Sequence, residues 1–199
     1  MPSRFAATVF PATLLAAAIL PLAASAQFFD ERQQMLLGGA PLSRQYSLFT
    51  GSENPVPKTT VSYTGRYKPG SIVVDTAERR LYFIVGDGTA IRYGIGVGRI
   101  GYTWKGVKTV TQKKEWPSWT PPREMLARRP DLPRHMKGGI DTPLGARALY
   151  LGSTLYRIHG SNEPETIGQA VSSGCFRMTN DDVVDLYNRV RVGATVVVQ

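Results

Sequence analysis

Glycine and proline set the first limit on what this chain can become, with 20 of the one and 14 of the other in 199 residues. Glycine weakens helix interiors and proline removes a backbone donor. That density favours a turn-rich, mainly β fold over a helical bundle. Hydrophobic residues make up 42% and charged residues 20%, too apolar a mixture for a disordered chain. The length suits one domain with a sizeable core, plus tails.

The segments between the breakers carry strand signals. Residues 71–75 are short and β-branched. Residues 81–85 follow, then the turn Gly86-Asp87-Gly88. In residues 90–98, Ile91, Tyr93, Ile95 and Val97 alternate with small or charged residues, and Gly94, Gly96 and Gly98 share the other face, which allows close backbone approach. Residues 107–114 alternate again. Residues 148–151 and 155–159 flank Gly152-Ser153-Thr154 as a hairpin, and residues 195–198 read as a last strand. One helix is expected over 180–190, where Val183, Leu186, Tyr187 and Val190 share a face. Thr179 and Asp182 resemble a capping box at its start. Between Trp116-Pro117 and Asp141 the chain makes a long charged excursion with the reading of a lid or binding loop.

The N-terminus reads as a secretory signal peptide over residues 1–26. Arg4 supplies the positive start, Leu14 to Leu20 is an unbroken apolar run, and Ala24-Ser25-Ala26 is a small-x-small cleavage site. The run is short for a membrane span, and no second run of spanning length follows. Residues 27–66 are expected to be a flexible or extended N-terminal segment, with Tyr63 and Tyr67 docking, and residues 67–199 the folded domain. The formal charge is +9. Basic residues are spread along the chain, with no Lys/Arg stripe interleaved with aromatics, so nucleic acid is not the expected partner. An anionic wall polymer is the competing one, against a surface that is merely basic.

The chain has one cysteine and two histidines, so few reactive constellations exist. No internal disulfide is available, no metal site is expected, and no cofactor is required. Cys175 follows the turn Ser172-Ser173-Gly174 and precedes the helix start. His159 ends a strand sixteen positions earlier. An unpaired thiol in an exported chain risks oxidation, which argues for a use. Beside an imidazole it can form a thiolate–imidazolium pair. Gly174 leaves room for substrate and leaves backbone N–H groups for an oxyanion. The bland alternative is a small buried hydrophobe. His135 lies in the charged excursion and reads as exposed.

The sequence resembles the L,D-transpeptidases of bacterial cell walls, the YkuD-like catalytic domain. The residues that carry the likeness are His159-Gly160-Ser161, Ile167-Gly168 and Ser172-Ser173-Gly174-Cys175-Phe176-Arg177. The segments 142–151 and 180–187 support it. Two positions depart from the family pattern. Ser173 stands where a histidine is frequent, and Ser161 stands for threonine. The resemblance implies a mainly β fold, a sandwich or open barrel with one or two short helices. It implies acyl transfer on peptidoglycan stem peptides in the periplasm or at the cell wall. Cys175 would be the nucleophile and His159 the acid and base, with its pKa near working pH. The Gly160 carbonyl would orient the ring. Arg177 would hold a substrate carboxylate or brace the cysteine loop, while Ser161, Ser172, Ser173 and Gly174 would contact substrate or loop. The acceptor stays open among a second stem amine, a lysine of an outer-membrane protein, a D-amino acid and water. Outside catalysis, a wall-binding module is the alternative. A papain-like protease is disfavoured because the histidine precedes the cysteine.

Overall fold

The computed structural model describes residues 54–199. The leader at 1–26 and residues 27–53 lie outside the described residues. Along the rest, eleven strands and two α-helices follow in order: β1 (Thr59–Ser62), β2 (Ile72–Asp75), β3 (Arg80–Gly86), β4 (Thr89–Gly94), β5 (Val97–Gly98), β6 (Gly106–Glu115), α1 (Arg123–Arg128), β7 (Arg147–Leu151), β8 (Arg157–His159), β9 (Ala170–Ser172), β10 (Phe176–Arg177), α2 (Asn180–Arg189) and β11 (Thr195–Val198).

The long strand β6 organises them. Its first half pairs antiparallel with β11, Thr109 opposite Thr195. Its second half pairs with β7, Glu115 opposite Arg147. The register shifts between Val110 and Gln112, so Thr111 is the extra residue where the strand bends from one sheet into the next. One side of the bend continues β11-β2-β3-β4-β1, the other β7-β8-β10, and β5 pairs with β9 as a separate short ribbon. The β2–β11 and β8–β10 pairs are parallel.

Alternation along the strands decides which side chains meet in the middle. Ile72 and Val74 of β2, Leu81 and Phe83 of β3, Leu149 and Leu151 of β7, Ile158 of β8 and Phe176 of β10 share one buried cluster. Val183 and Leu186 of α2 belong to the same cluster. The helix begins at Thr179, whose Oγ1 accepts from the Asp182 N–H at 3.3 Å. At its other end the Lys113 ammonium donates to the Tyr187 and Val190 carbonyls, at 2.6 and 2.7 Å. A cation there satisfies orphan carbonyls and opposes the negative end of the helix.

Most expected elements lie where the pattern placed them, with three differences. The segment 90–98 is not one strand. It breaks after Gly94, because beyond it the N–H groups of Gly96 and Val97 donate to Arg177 and Gln169. The excursion contains a short helix, α1, and is tied at its base by reciprocal Trp119–Met136 backbone bonds of 2.9 and 2.8 Å. Residues 54–66, read as tail, contain β1, an edge strand on β4. Val61, Tyr63 and Tyr67 cover a second small cluster of Val73, Ile84 and Ala90 on the far face of β2, β3 and β4.

Candidate active site

The parallel pair β8–β10 sets the segments that carry Cys175 and His159 side by side. Phe176 lies opposite Ile158 and Arg177 opposite His159. Ile158 and Phe176 point into the core, so their sequence neighbours point to the other face. One residue before Phe176 is Cys175, and one before Ile158 is Arg157. Cys175, Arg157, His159 and Arg177 therefore share a single face. On that face the register continues to Cys175 beside Arg157, with His159 one pleat further along.

His159 is buried at 4% exposure. Its Nδ1 lies 2.5 Å from the Gly160 carbonyl oxygen. A carbonyl only accepts, so Nδ1 carries the proton and Nε2 is left as the acceptor. Gly160 is held close: a Cβ there would lie 2.3 Å from Asn180 Oδ1, which accepts from the Ala146 N–H. Burial lowers the imidazole pKa from 6.5 to about 4. The Gly160 bond opposes this, while Arg177 and Arg157 add to it.

Cys175 keeps part of its surface in solvent. Its thiol donates to the Leu155 carbonyl at 3.5 Å. Burial pushes the thiol pKa up; the Arg157 backbone N–H, the Arg157 charge and guanidinium, and the Arg177 charge pull it back. Both directions favour the neutral pair. These shifts run against the expected resting thiolate–imidazolium pair, with a histidine pKa near working pH. The physical reason is desolvation of both groups.

The turn before the thiol is built from its own side chains. Ser172 Oγ donates to the Cys175 carbonyl at 2.6 Å and accepts from the Gly174 N–H at 3.1 Å. The Gly174 N–H is therefore already engaged and does not serve as the free donor expected of it. Among the described residues the Cys175 N–H has no acceptor. Gly174 has φ of +107°, and a Cβ there would lie 2.7 Å from the Tyr156 ring. Trp104 stacks on Tyr156 at 4.6 Å and donates from Nε1 to the Gly174 carbonyl at 2.9 Å. Neither aromatic stood out in the sequence, since a lone Trp or Tyr in a turn-rich stretch carries no chemical signature.

Other expected contacts also change. Ser161 is buried, and its Oγ accepts from the Glu163 N–H at 3.0 Å. Ser161 and Ser172 thus build the loops. Ser173 is partly exposed beside the thiol. Arg177 binds Glu163 at 2.6 Å, which ties β10 to the segment after the histidine. His135 meets Thr120 Oγ1 at 3.1 Å on the exposed excursion. Arg157 was overlooked, although its place two residues before His159 on a strand puts both on one face. Among the described residues no three His, Cys, Asp or Glu side chains gather as a metal site.

Two buried groups near this end of the fold titrate in opposite senses. Burial raises the Asp182 carboxyl, which accepts from Asn54 Nδ2 at 2.7 Å, to about 6. The folded state binds the Asp182 proton more tightly than the unfolded chain, so its contribution is lost as pH rises from about 4 to 6. The folded state binds the His159 proton less tightly, so its contribution is lost as pH falls from 6.5 to about 4. Each amounts to about 3 kcal/mol, and over pH 4–6 they oppose each other. Asp182→Asn removes one side of the balance. Melting at pH 4.5 and pH 7 should show a larger acid destabilisation in the variant than in the parent; equal acid losses would refute the pairing.

This thiol, histidine and sandwich define a class. A family model described as the L,D-transpeptidase catalytic domain, YkuD, matches residues 69–198, and the chain belongs to that family. It is 35% identical over 185 residues to the probable L,D-transpeptidase ErfK/SrfK of Escherichia coli (strain K12), covering 88% of this chain and 58% of that protein. The chain spans roughly half the length of the curated relatives it matches. A Brucella melitensis crystal structure, described as a probable carnitine operon oxidoreductase, is 44% identical with a TM-score of 0.50, over 79% of this chain and 99% of that one. An L,D-transpeptidase from Mycobacterium smegmatis superposes with a TM-score of 0.54 at 19% identity, over 71% and 67% of the two chains. At that identity the likeness is one of fold.

Proposed function

We propose that the chain is a cysteine-dependent L,D-transpeptidase acting on peptidoglycan tetrapeptide stems. The observation that carries this reading is the shared face of Cys175 and His159, with the ring held by the Gly160 carbonyl so that Nε2 is the free base. Cys175 Sγ attacks the carbonyl of the third stem residue as His159 Nε2 takes the thiol proton. The Cys175 N–H holds the developing oxyanion. The amide C–N bond then breaks, His159 returns the proton to the departing D-alanine amine, and a thioester remains. An amine of a second stem attacks the thioester and releases the thiol.

Burial of the imidazole weakens it as a base toward the thiol and strengthens its imidazolium as an acid toward the leaving amine. A buried imidazolium is a strong acid, so it passes its proton promptly to the leaving amine. The neutral resting thiol is also less prone to oxidation than a standing thiolate. The end of the 116–142 excursion approaches the site, with Asn162 Nδ2 donating to the Asp141 carbonyl at 3.1 Å. That places it to limit water, which would divert the thioester to hydrolysis. Residues 1–26 would export the chain to the periplasm or wall. No helix among the described residues is long and apolar enough to cross a membrane.

The test is incubation of the full chain with a defined disaccharide tetrapeptide, followed by mass analysis. The expected product is a cross-linked dimer short of one D-alanine. A tripeptide alone would assign water as the acceptor, and a protein lysine or D-amino acid can be supplied to test the other acceptors. No loss of D-alanine under any condition would refute the reading.

A further inference from the structure

We propose that Arg157 is a further catalytic residue, its guanidinium serving as the counter-ion against which the Cys175 thiolate forms. The proposal rests on Cys175 being the nucleophile. Its geometric basis is one carbonyl. The Leu155 oxygen accepts from the Cys175 thiol at 3.5 Å and from Arg157 Nη1 at 3.2 Å. While the thiol holds its proton, the three groups are satisfied together. When the proton leaves, the sulfur faces the lone pairs of that oxygen with a full negative charge. Without a cation beside them the two would repel. Arg157 is already in place, and it holds a donor in reserve: its Nε is buried and has no hydrogen-bond partner.

The arginine is fixed rather than swinging. Its guanidinium carbon stands 5.0 Å from the centre of the Tyr150 ring, and Tyr150 is its register partner on β7. A stacked, pre-positioned guanidinium loses little freedom when it meets an anion. The other charged and titratable groups near the sulfur do not fill this role. Arg177, on β10, is held by Glu163 at 2.6 Å. His159, on β8, receives the proton and becomes a cation only for as long as it keeps it. Arg99, from the segment after β5, lies over the Tyr102 ring at 4.2 Å. Tyr156 lies against Gly174 and brings no positive charge. The turn Ser172-Ser173-Gly174 brings no charge of its own. Burial raises the thiol pKa; the Arg157 backbone N–H opposes it first, and the Arg157 charge follows, ahead of that of Arg177.

The experiment is the pH dependence of Cys175 alkylation by iodoacetamide in the full chain, which needs no peptidoglycan. Arg157→Gln should move the alkylation midpoint upward by about one pH unit and slow alkylation at pH 7 by about tenfold. Arg157→Lys, which keeps the charge, should recover most of that loss. Arg177→Gln should shift the midpoint less than Arg157→Gln. An unchanged midpoint in folded Arg157→Gln would overturn the proposal. So would equal shifts in the Gln and Lys variants, which would assign the effect to shape. If the Gln variant fails to fold, the Lys variant decides against the parent: a midpoint held within a few tenths of a unit supports a counter-ion, and a full-unit rise overturns it. Because the readout is alkylation, failure here is distinct from failure of the cross-linking reading, in which alkylation would proceed but no D-alanine would be released.

Discussion

Cys175→Ala abolishes D-alanine release from a tetrapeptide stem and leaves the melting temperature within a few degrees of the parent. The loss should be at least about 10⁴-fold, since no other group on the shared face can form the covalent intermediate. The chain contains one cysteine, so no second thiol can substitute. The fold should survive because Cys175 is partly exposed and its thiol donates only weakly, to the Leu155 carbonyl. Its loop is held by other groups: Ser172 Oγ bridges the turn, and Trp104 fixes the Gly174 carbonyl. Intact-mass analysis supplies a second reading. The parent, mixed with substrate and quenched in acid, should carry an adduct of tripeptide mass, and the variant none. Substantial turnover by folded Cys175→Ala would remove the nucleophile from the mechanism altogether.

The contrast between what the residues announced and what they concealed follows from the range of the forces involved. The helix α2 was legible because its cap and its apolar stripe are local: Thr179, Val183, Leu186 and Val190 declare both the start and the buried face. Strands β2, β3 and β4 were legible for the same reason, through alternation and the Gly86-Asp87-Gly88 turn. Strands β1, β9 and β10 were not. Strands β9 and β10 are three and two residues long, too short for a period to emerge, and β1, as long as β2, is a mostly exposed edge strand without the buried apolar run of β2; each exists because a neighbour offers backbone partners. At the site, Cys175 and His159 stood out through scarcity. The serines carried no comparable signal, because a hydroxyl in a turn finds a backbone partner as readily as a ligand. Ionisation was the least legible property, for it depends on how much water the finished fold removes from each group.

Replacing His159 by glutamine tests that last property directly. Glutamine keeps a polar side chain that can still donate to the Gly160 carbonyl, but it cannot take a proton. Turnover should fall by about 10²–10⁴-fold, with KM changed far less, since the ring is buried and its part is proton transfer rather than substrate binding. The pH profiles should differ in form as well as height. In the parent the base is lost only when His159 is protonated, so activity should decline on acidification through about pH 4, well below the ordinary histidine value near 6.5. In the variant the acid limb at 4 disappears. Attack must then await direct ionisation of a thiol whose pKa is raised by burial, so the residual rate should climb about tenfold per pH unit across neutrality. A parent limb near 6.5 would show that the ring is better solvated, or better paired with the thiolate, than its surroundings imply. A variant with the parent's rate and profile would place the base elsewhere.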